Sequence, residues 1–128
     1  MHEYNVIGLM SGTSLDGVDL AYCHFSENNN TWAFQIHAAE TIPYNDFWKE
    51  TLQKVANFNA QDFFKTHVKY GHYLGKLVSD FILKNQLSPD FIASHGHTIF
   101  HQPQLGFTCQ IGDGAAIAAA CGLPVVCD

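Results

Sequence analysis

Before Pro43 the chain has room for three extended apolar runs and only two short breaks. Tyr4 to Met10 reads as a buried strand and Val18 to Phe25 as a second. Thr31 to Ile42 reads as a third, with Trp32, Phe34 and Ile36 on one face at period two. Breaks this short join antiparallel neighbours, because parallel strands need a crossover of a dozen or more residues. The first third of the chain is therefore predicted to be a three-strand antiparallel meander, with "SENNN" as a polar turn.

Pro43 closes the meander. Asn45 or Asp46 can cap a short helix to about Val55, and Asn59 a longer one from about Gln61 to Asn85. Along the second, Phe64, Val68, Gly71, Leu74, Val78 and Phe81 fall on one face. Lys65, Lys69, His72, Lys76, Asp80 and Lys84 fall on the other. Gly71 and Gly75, one turn apart on the apolar side, cost helix propensity and so point to a close backbone approach. "SPD" ends the helix. "FIASHGHTIFHQ" reads as a short strand, a glycine break and a second extended piece, and "FTCQIG" as another strand. "DGAAIAAAC" reads as a buried helix capped by Asp113 and closed by Gly122 and Pro124, and "PVVCD" as a final strand. A meander followed by strand–helix alternation predicts an α/β fold, a mixed sheet with helices packed on it.

The 128 residues suffice for one domain with one core. Net charge is -6 with no basic run, which argues against a nucleic-acid or anionic-membrane partner. "MHEYNVIGLM" lacks the pattern of a signal peptide, and "AAIAAACGLPVV" is too short to span a bilayer. Cys23, Cys109, Cys121 and Cys127 form no C-x-x-C pair and read as reduced core thiols of a cytoplasmic protein. Charged residues are only 14%, lean for a free-standing domain, which hints at a surface covered by something else.

Three stretches could carry chemistry. In "GLMSGTSLDGVDLAY", Ser11 to Ser14 combine small size, hydroxyls and backbone N–H groups, as a phosphate nest requires. On composition alone the stretch reads first as a hairpin with Asp16-Gly17 as its favoured turn, and the P-loop pattern is absent. His95, His97 and His101 share parity, and with Asp90 or Asp113 they could ligate zinc if the strand ran unbroken through Gly96. Otherwise they are hydrogen-bonding groups of a polar cleft. Gly112-Asp113-Gly114 opens a helix whose N–H groups favour a ligand oxygen, and Asp113 is also an ordinary cap. No serine has the G-x-S-x-G context. Phe63, Phe64, Phe81, Tyr70 and Trp48 read as core.

"GLMSGTSLDGVDLAY", "ASHGHTIFHQP" and "CQIGDGAAIAAACGLPVVCD", in that order, resemble the N-terminal part of the anhydro-N-acetylmuramic acid kinase family, in the acetate and sugar kinase/actin-like ATPase superfamily. The resemblance covers essentially the whole chain. It implies a ribonuclease-H-like core, with residues 1–128 as the N-terminal lobe of a two-lobe cytoplasmic enzyme and the C-terminal lobe absent. It implies ATP and Mg2+ as cofactors, and hydrolytic ring opening of 1,6-anhydro-N-acetylmuramic acid coupled to phosphoryl transfer, giving N-acetylmuramic acid 6-phosphate in peptidoglycan recycling. Carried over by motif, Gly12, Thr13, Ser14, Leu15, Asp16, Gly17, Val18 and Asp19 form the loop at the ATP phosphates. Ser94, His95, Gly96 and Thr98 lie beside the sugar, and Gln110, Gly112 and Asp113 border the same cleft. The partners implied are the amino sugar, ATP and the missing lobe, and a homodimer is among the assemblies admitted.

Three departures follow from the same comparison. Many sugar kinases of the superfamily begin this loop with Asp-x-Gly-x-Thr/Ser, whereas here Met10 stands in the acid's place and leaves magnesium to Asp16 or Asp19. The family commonly has glutamine where His97 stands. Its catalytic aspartate is expected shortly beyond "VVCD", so this chain alone is expected to be inactive. Two other readings compete: a metal-dependent hydrolase built on His95, His97 and His101, and a non-catalytic ligand-binding domain.

Overall fold

The meander forms as the alternation requires. Strands β1 (His2–Ser11), β2 (Gly17–Asn28) and β3 (Thr31–Pro43) pair antiparallel in chain order. The computed structural model describes residues 1–12 and 14–127; Thr13 and Asp128 lie outside the described residues. The hairpin between β2 and β3 is tighter than "SENNN" implied. Ser26 to Asn28 belong to β2, and Asn29 and Asn30, at φ 52° and 62°, make the whole turn. Two left-handed residues match the twist of the flanking strands, and asparagine tolerates that region well.

Asn45, not Asp46, caps α1 (Asp46–Lys54), its side chain accepting the Trp48 N–H at 2.9 Å. A 3-10 turn, Val55–Asn57, follows. Asn59 caps α2 (Ala60–Asn85) by accepting the Asp62 N–H at 2.8 Å. Replacing Asn59 by alanine will orphan that N–H and cost about 1 kcal/mol, read as a lower thermal midpoint, with Asn59→Ser restoring most of it. Helix α2 ends on Gln86 in the left-handed region, before Pro89, so proline is not what stops it.

Strand β4 (Phe91–Gln102) is one strand, not two pieces. It runs parallel to β1, then turns through a 3-10 turn at Pro103–Leu105 into β5 (Phe107–Ile111), its antiparallel partner. Helix α3 (Gly114–Cys121) and β6 (Val125–Cys127) complete the order, β6 pairing parallel with the first half of β4. The described strands form one mixed sheet in the order β3-β2-β1-β4-β5, with β6 beside β5 on β4's far edge.

Ile7, Leu9, Val18, Leu20, Ile92 and Ile111 project from one face of the sheet into a core closed by Trp48, Leu52, Tyr70, Leu74, Val78, Phe81 and Ile117 of the helices. The buried stripe of α2 differs from the sequence reading. Phe64 is 65% exposed and Val68 is also exposed, while Tyr70 and Thr66 are buried. Helix α3 is half-exposed, burying only Ala116 and Ile117. The expected close approach is present: a Cβ on Gly71 would lie 2.5 Å from the Asp113 carbonyl oxygen, and one on Gly75 2.5 Å from the Ala120 Cβ. Trp32, Phe34 and Ile36 do share a face, but it is the sheet's other face, where all three are exposed beside Tyr4 and Phe25. No disulfide joins the four cysteines, and Cys127 is exposed, so it is no core thiol. Among the described residues no helix is long and apolar enough to cross a membrane.

Candidate functional site

The loop between β1 and β2 springs from the carboxyl end of a parallel strand, where open α/β sheets bind their ligands. It leaves the sheet at Ser11 and rejoins it at Gly17. Its left-handed residue is Leu15, at φ 59°, not Gly17. A leucine held there is sterically costly, and partial burial of its side chain against the core offsets that cost. Gly17 has another reason to be glycine: a Cβ would sit 2.2 Å from the Ile42 carbonyl oxygen of β3. The Asp16-Gly17 pair is therefore not a left-handed hairpin turn but the point where β3 closes against β2, with Tyr44 N–H donating to the Asp16 carbonyl at 3.2 Å. Gly12 is half-buried with open space around it, and Ser14 and Asp16 are exposed. Val18 is fully buried, so its side chain anchors the loop in the core.

Beside this loop, on the face without helices, lies a cleft of about 610 Å³. Met10, Asp19, Ala21, Ser94 and His95 line it, and Gly8 leaves its floor open. Met10 and Asp19 are directly opposed across β1 and β2. The Asp19 carboxylate thus stands on the neighbouring strand beside the position that Met10 fills. One of its oxygens accepts the Thr41 hydroxyl at 2.5 Å, which orients the group and leaves the other oxygen free. Ser94 is 8% exposed, and its buried hydroxyl has no hydrogen-bond partner among the described residues. Successive strand residues face opposite sides, so this hydroxyl lies with Ile92 on the core-facing side of β4, while the His95 side chain faces the cleft.

The residues beyond Ser94 are divided by Gly96. At φ 72°, with a Cβ position 2.4 Å from the Ile111 carbonyl, Gly96 admits only glycine. The ladder between β1 and β4 shifts register there. The shift destroys the parity that would have aligned the three histidines. His95 faces the open cleft, His97 turns inward at 4% exposure, and His101 is exposed near the far end of the strand. Among the described residues no group of His, Cys, Asp or Glu is placed to hold a metal ion, which overturns the zinc reading. Thr98 and Gln110 face each other across β4 and β5, at 3.3 Å. Gly112, at φ 120°, lies against the Gly96 Cα. Asp113 is committed to capping α3 through the Ala116 N–H, 3.1 Å away. The side chains of His95 and Asp19 therefore share one cleft, with Ser94 turned to the core between them and the bulge, while Thr98, Gln110, Gly112 and Asp113 lie past it.

Two supports escaped sequence reasoning. His67 of α2 pins the Gly112-Asp113 turn: its Nδ1 accepts the Gly112 N–H at 3.0 Å and its carbonyl accepts the Asp113 N–H at 3.1 Å. Ser11 bonds His97 Nδ1 at 2.7 Å and the Tyr44 hydroxyl at 2.5 Å, and Tyr44 bonds Tyr70, also at 2.5 Å. The available signal for Ser11 was its place in the loop motif; for His67, Tyr44 and Tyr70 no motif exists.

A mixed sheet of this order, with helices on one face and a glycine- and hydroxyl-rich loop between its first two strands, is a ribonuclease-H-like lobe of the type shared by sugar kinases and actin-like ATPases. A family model, anhydro-N-acetylmuramic acid kinase, matches residues 4–128. The chain belongs to that family. A protein of that name from Zymomonas mobilis is 38% identical, the match covering 95% of this chain and 36% of the relative. One from Microcystis aeruginosa is 36% identical, covering 94% and 34%, and one from Vibrio parahaemolyticus 35% identical, covering 95% and 34%. The chain spans about a third of the length of the curated relatives it matches.

Proposed function

We propose that this chain is the N-terminal lobe of an ATP-dependent kinase acting on 1,6-anhydro-N-acetylmuramic acid in the cytoplasm, opening the anhydro bridge with water and delivering the phosphoryl group to yield N-acetylmuramic acid 6-phosphate. The observation that carries the reading is the cleft that begins beside the loop, with Met10, Asp19 and His95 on its walls. Its apolar floor at Gly8, Ala21 and Ala93 suits the face of a pyranose. His95 stands on its wall as a hydrogen-bonding group for a sugar hydroxyl. Gly12 to Ser14 offer N–H and hydroxyl donors to the phosphates. The donor set fits magnesium as kinases use it, held by one or two carboxylates, phosphate oxygens and water, with Asp19 as this chain's contribution. Bound magnesium would neutralise charge on the transferring phosphoryl group. Thr98, Gln110, Gly112 and Asp113 border the sugar side through the Gly96 bulge.

Phosphoryl transfer needs a positioned nucleophile and charge neutralisation from both sides. This lobe supplies one side, and the catalytic carboxylate is assigned to the part of the family's length that this chain does not span. The 128-residue chain will form no 6-phosphate from ATP, magnesium and the anhydro-sugar. A chimera in which it replaces the matching third of the Zymomonas mobilis relative will form it. His95→Ala in that chimera will lower kcat/KM for the sugar about tenfold, the worth of one hydrogen bond to the ligand. A folded chimera that binds ATP and the sugar without turnover would instead favour a binding domain, and turnover by the isolated chain would overturn the division of labour.

A further inference from the structure

The loop hangs from Ser11, and Ser11 is the centre of a buried hydrogen-bond chain that joins β1, β4, α2 and the connection after β3. Tyr70 of α2 bonds Tyr44, which follows β3; Tyr44 bonds Ser11 at the end of β1; Ser11 bonds His97 of β4. All four residues are buried, with Tyr70 wholly so. Each hydroxyl has one hydrogen to give, and that fixes the direction of the chain. If His97 Nδ1 is bare, Tyr70 donates to Tyr44, Tyr44 to Ser11 and Ser11 to His97; every hydroxyl hydrogen is used, and the ring hydrogen sits on Nε2, which is not among the described buried atoms left without a partner. If Nδ1 carries the proton, the order reverses and the Tyr70 hydrogen is left over in the core. A buried donor without an acceptor is costly, so the first order holds and the neutral ring carries its proton on Nε2.

We infer that Ser11 and His97, with Tyr44 and Tyr70 behind them, are positioning residues that clamp the root of the β1–β2 loop to the β4 bulge, so that the loop and the Ser94–His95 wall of the cleft keep one relative geometry. What that geometry serves rests on the kinase reading; the clamp itself does not. Residues 94 and 95 immediately precede Gly96, and His97 immediately follows it, so the clamp grips β4 next to its one strained point. Ser11 precedes Gly12, the first residue of the loop. The His97 ring is turned toward Ser11 and the edge of Tyr70, 6.5 Å between centroids. The groups facing it are the Ser11 hydroxyl from β1, the Tyr44 phenol behind that, the Tyr70 ring from α2 and Ile111 from β5, none of them charged at neutral pH. Burial also lowers the His97 pKa below the ordinary imidazole value, so the acceptor form persists through neutrality. Protonation reverses the donor order and strands the Tyr70 hydrogen.

The test is nitrogen-15 NMR of the whole 128-residue chain, with no nucleotide or sugar present, so that its outcome is independent of the kinase reading. The His97 ring nitrogens will show a bare Nδ1 and a protonated Nε2 at neutral pH. As acid protonates His97, the Gly12 and Ser14 amides will shift with the same midpoint. In His97→Gln, whose amide oxygen can accept from Ser11, these amides will keep their neutral-pH positions and lose the pH response. In Ser11→Ala, His97 will still titrate but the loop amides will no longer follow it, a separation that a merely structural role would not produce. Loop amides that stay flat while His97 titrates in the unsubstituted chain, or that still follow it in Ser11→Ala, overturn the clamp.

Discussion

Gly71→Leu will push α3 away from α2 and lower the unfolding free energy by about 3 kcal/mol. Even a methyl group at this position would lie 2.5 Å from the Asp113 carbonyl oxygen and 2.9 Å from the Asp113 nitrogen. Both are main-chain atoms of the turn that starts α3, so no rotamer change relieves the clash. The Asp113 carbonyl accepts the first helical bond of α3, from the Ile117 N–H at 3.0 Å, and its displacement frays that helix. The same shift drags Gly112 from His67, so the damage reaches the Gly112-Asp113 turn. Leucine's better helix propensity recovers only about 1 kcal/mol. Lys76→Leu, on the exposed side of the same helix, will change stability by less than about 0.5 kcal/mol. Urea unfolding of the two variants checks the contrast; equal midpoints would mean that α3 is free to move away.

That glycine pair was legible because glycine inside a helix is a local anomaly with a short list of causes. The caps at Asn45, Asn59 and Asp113 were legible for a similar reason, since each precedes its apolar run and each bonds an N–H two or three residues on. The α2 stripe was read with Phe64 and Val68 on it because hydropathy alone weights them above Tyr70. What decides the stripe is where the sheet lies. The first turns of α2 run past it, and Phe63, not Phe64, finds a partner there, stacked on Phe100. Tyrosine 70 is buried because Tyr44 takes up its hydroxyl, a partner 26 residues away that no periodicity reveals.

At the site, the loop motif and the Ser94–His95 pair were readable as residue types. Their meeting was not, because it depends on β1 and β4 being parallel neighbours. The histidines show the limit most sharply. Equal parity put His95, His97 and His101 on one face, and one residue in a left-handed conformation at Gly96 sends His97 into the core. Sequence flags a glycine as permissive; only the packed sheet, with the Ile111 carbonyl against it, turns permission into a requirement. The place of Met10 is likewise clarified by pairing. The acid missing from β1 has a counterpart in Asp19 across the ladder, on the same face of the sheet.

Alkaline conditions will unfold the chain steeply. Burial holds the phenol pKa values of Tyr44 and Tyr70 above the ordinary value. Tyr44 further opposes ionisation of Tyr70 through its negative charge and its hydrogen bond, whereas the hydrogen bonds of Ser11 and Tyr70 to Tyr44 offset only part of its burial. Below about pH 10 the folded and unfolded chains both keep these protons, and the two groups add no pH dependence. Above it the unfolded chain releases them while the folded chain keeps them, so stability falls as pH rises toward the folded-state values. The slope is about 1.4 kcal/mol per pH unit for each group, or about 3 kcal/mol for the pair. That is a large fraction of the 5–15 kcal/mol that stabilises a typical domain. Ionisation would also empty the clamp of a donor, so loop and fold fail together. Tyr70→Phe will lose about 1 kcal/mol at neutral pH from the missing hydrogen bond, yet roughly halve the pair's alkaline slope. Urea midpoints followed from about pH 8 to about pH 11 give both numbers in one series. An unchanged slope in Tyr70→Phe would show that this hydroxyl reaches solvent and that the buried chain does not hold.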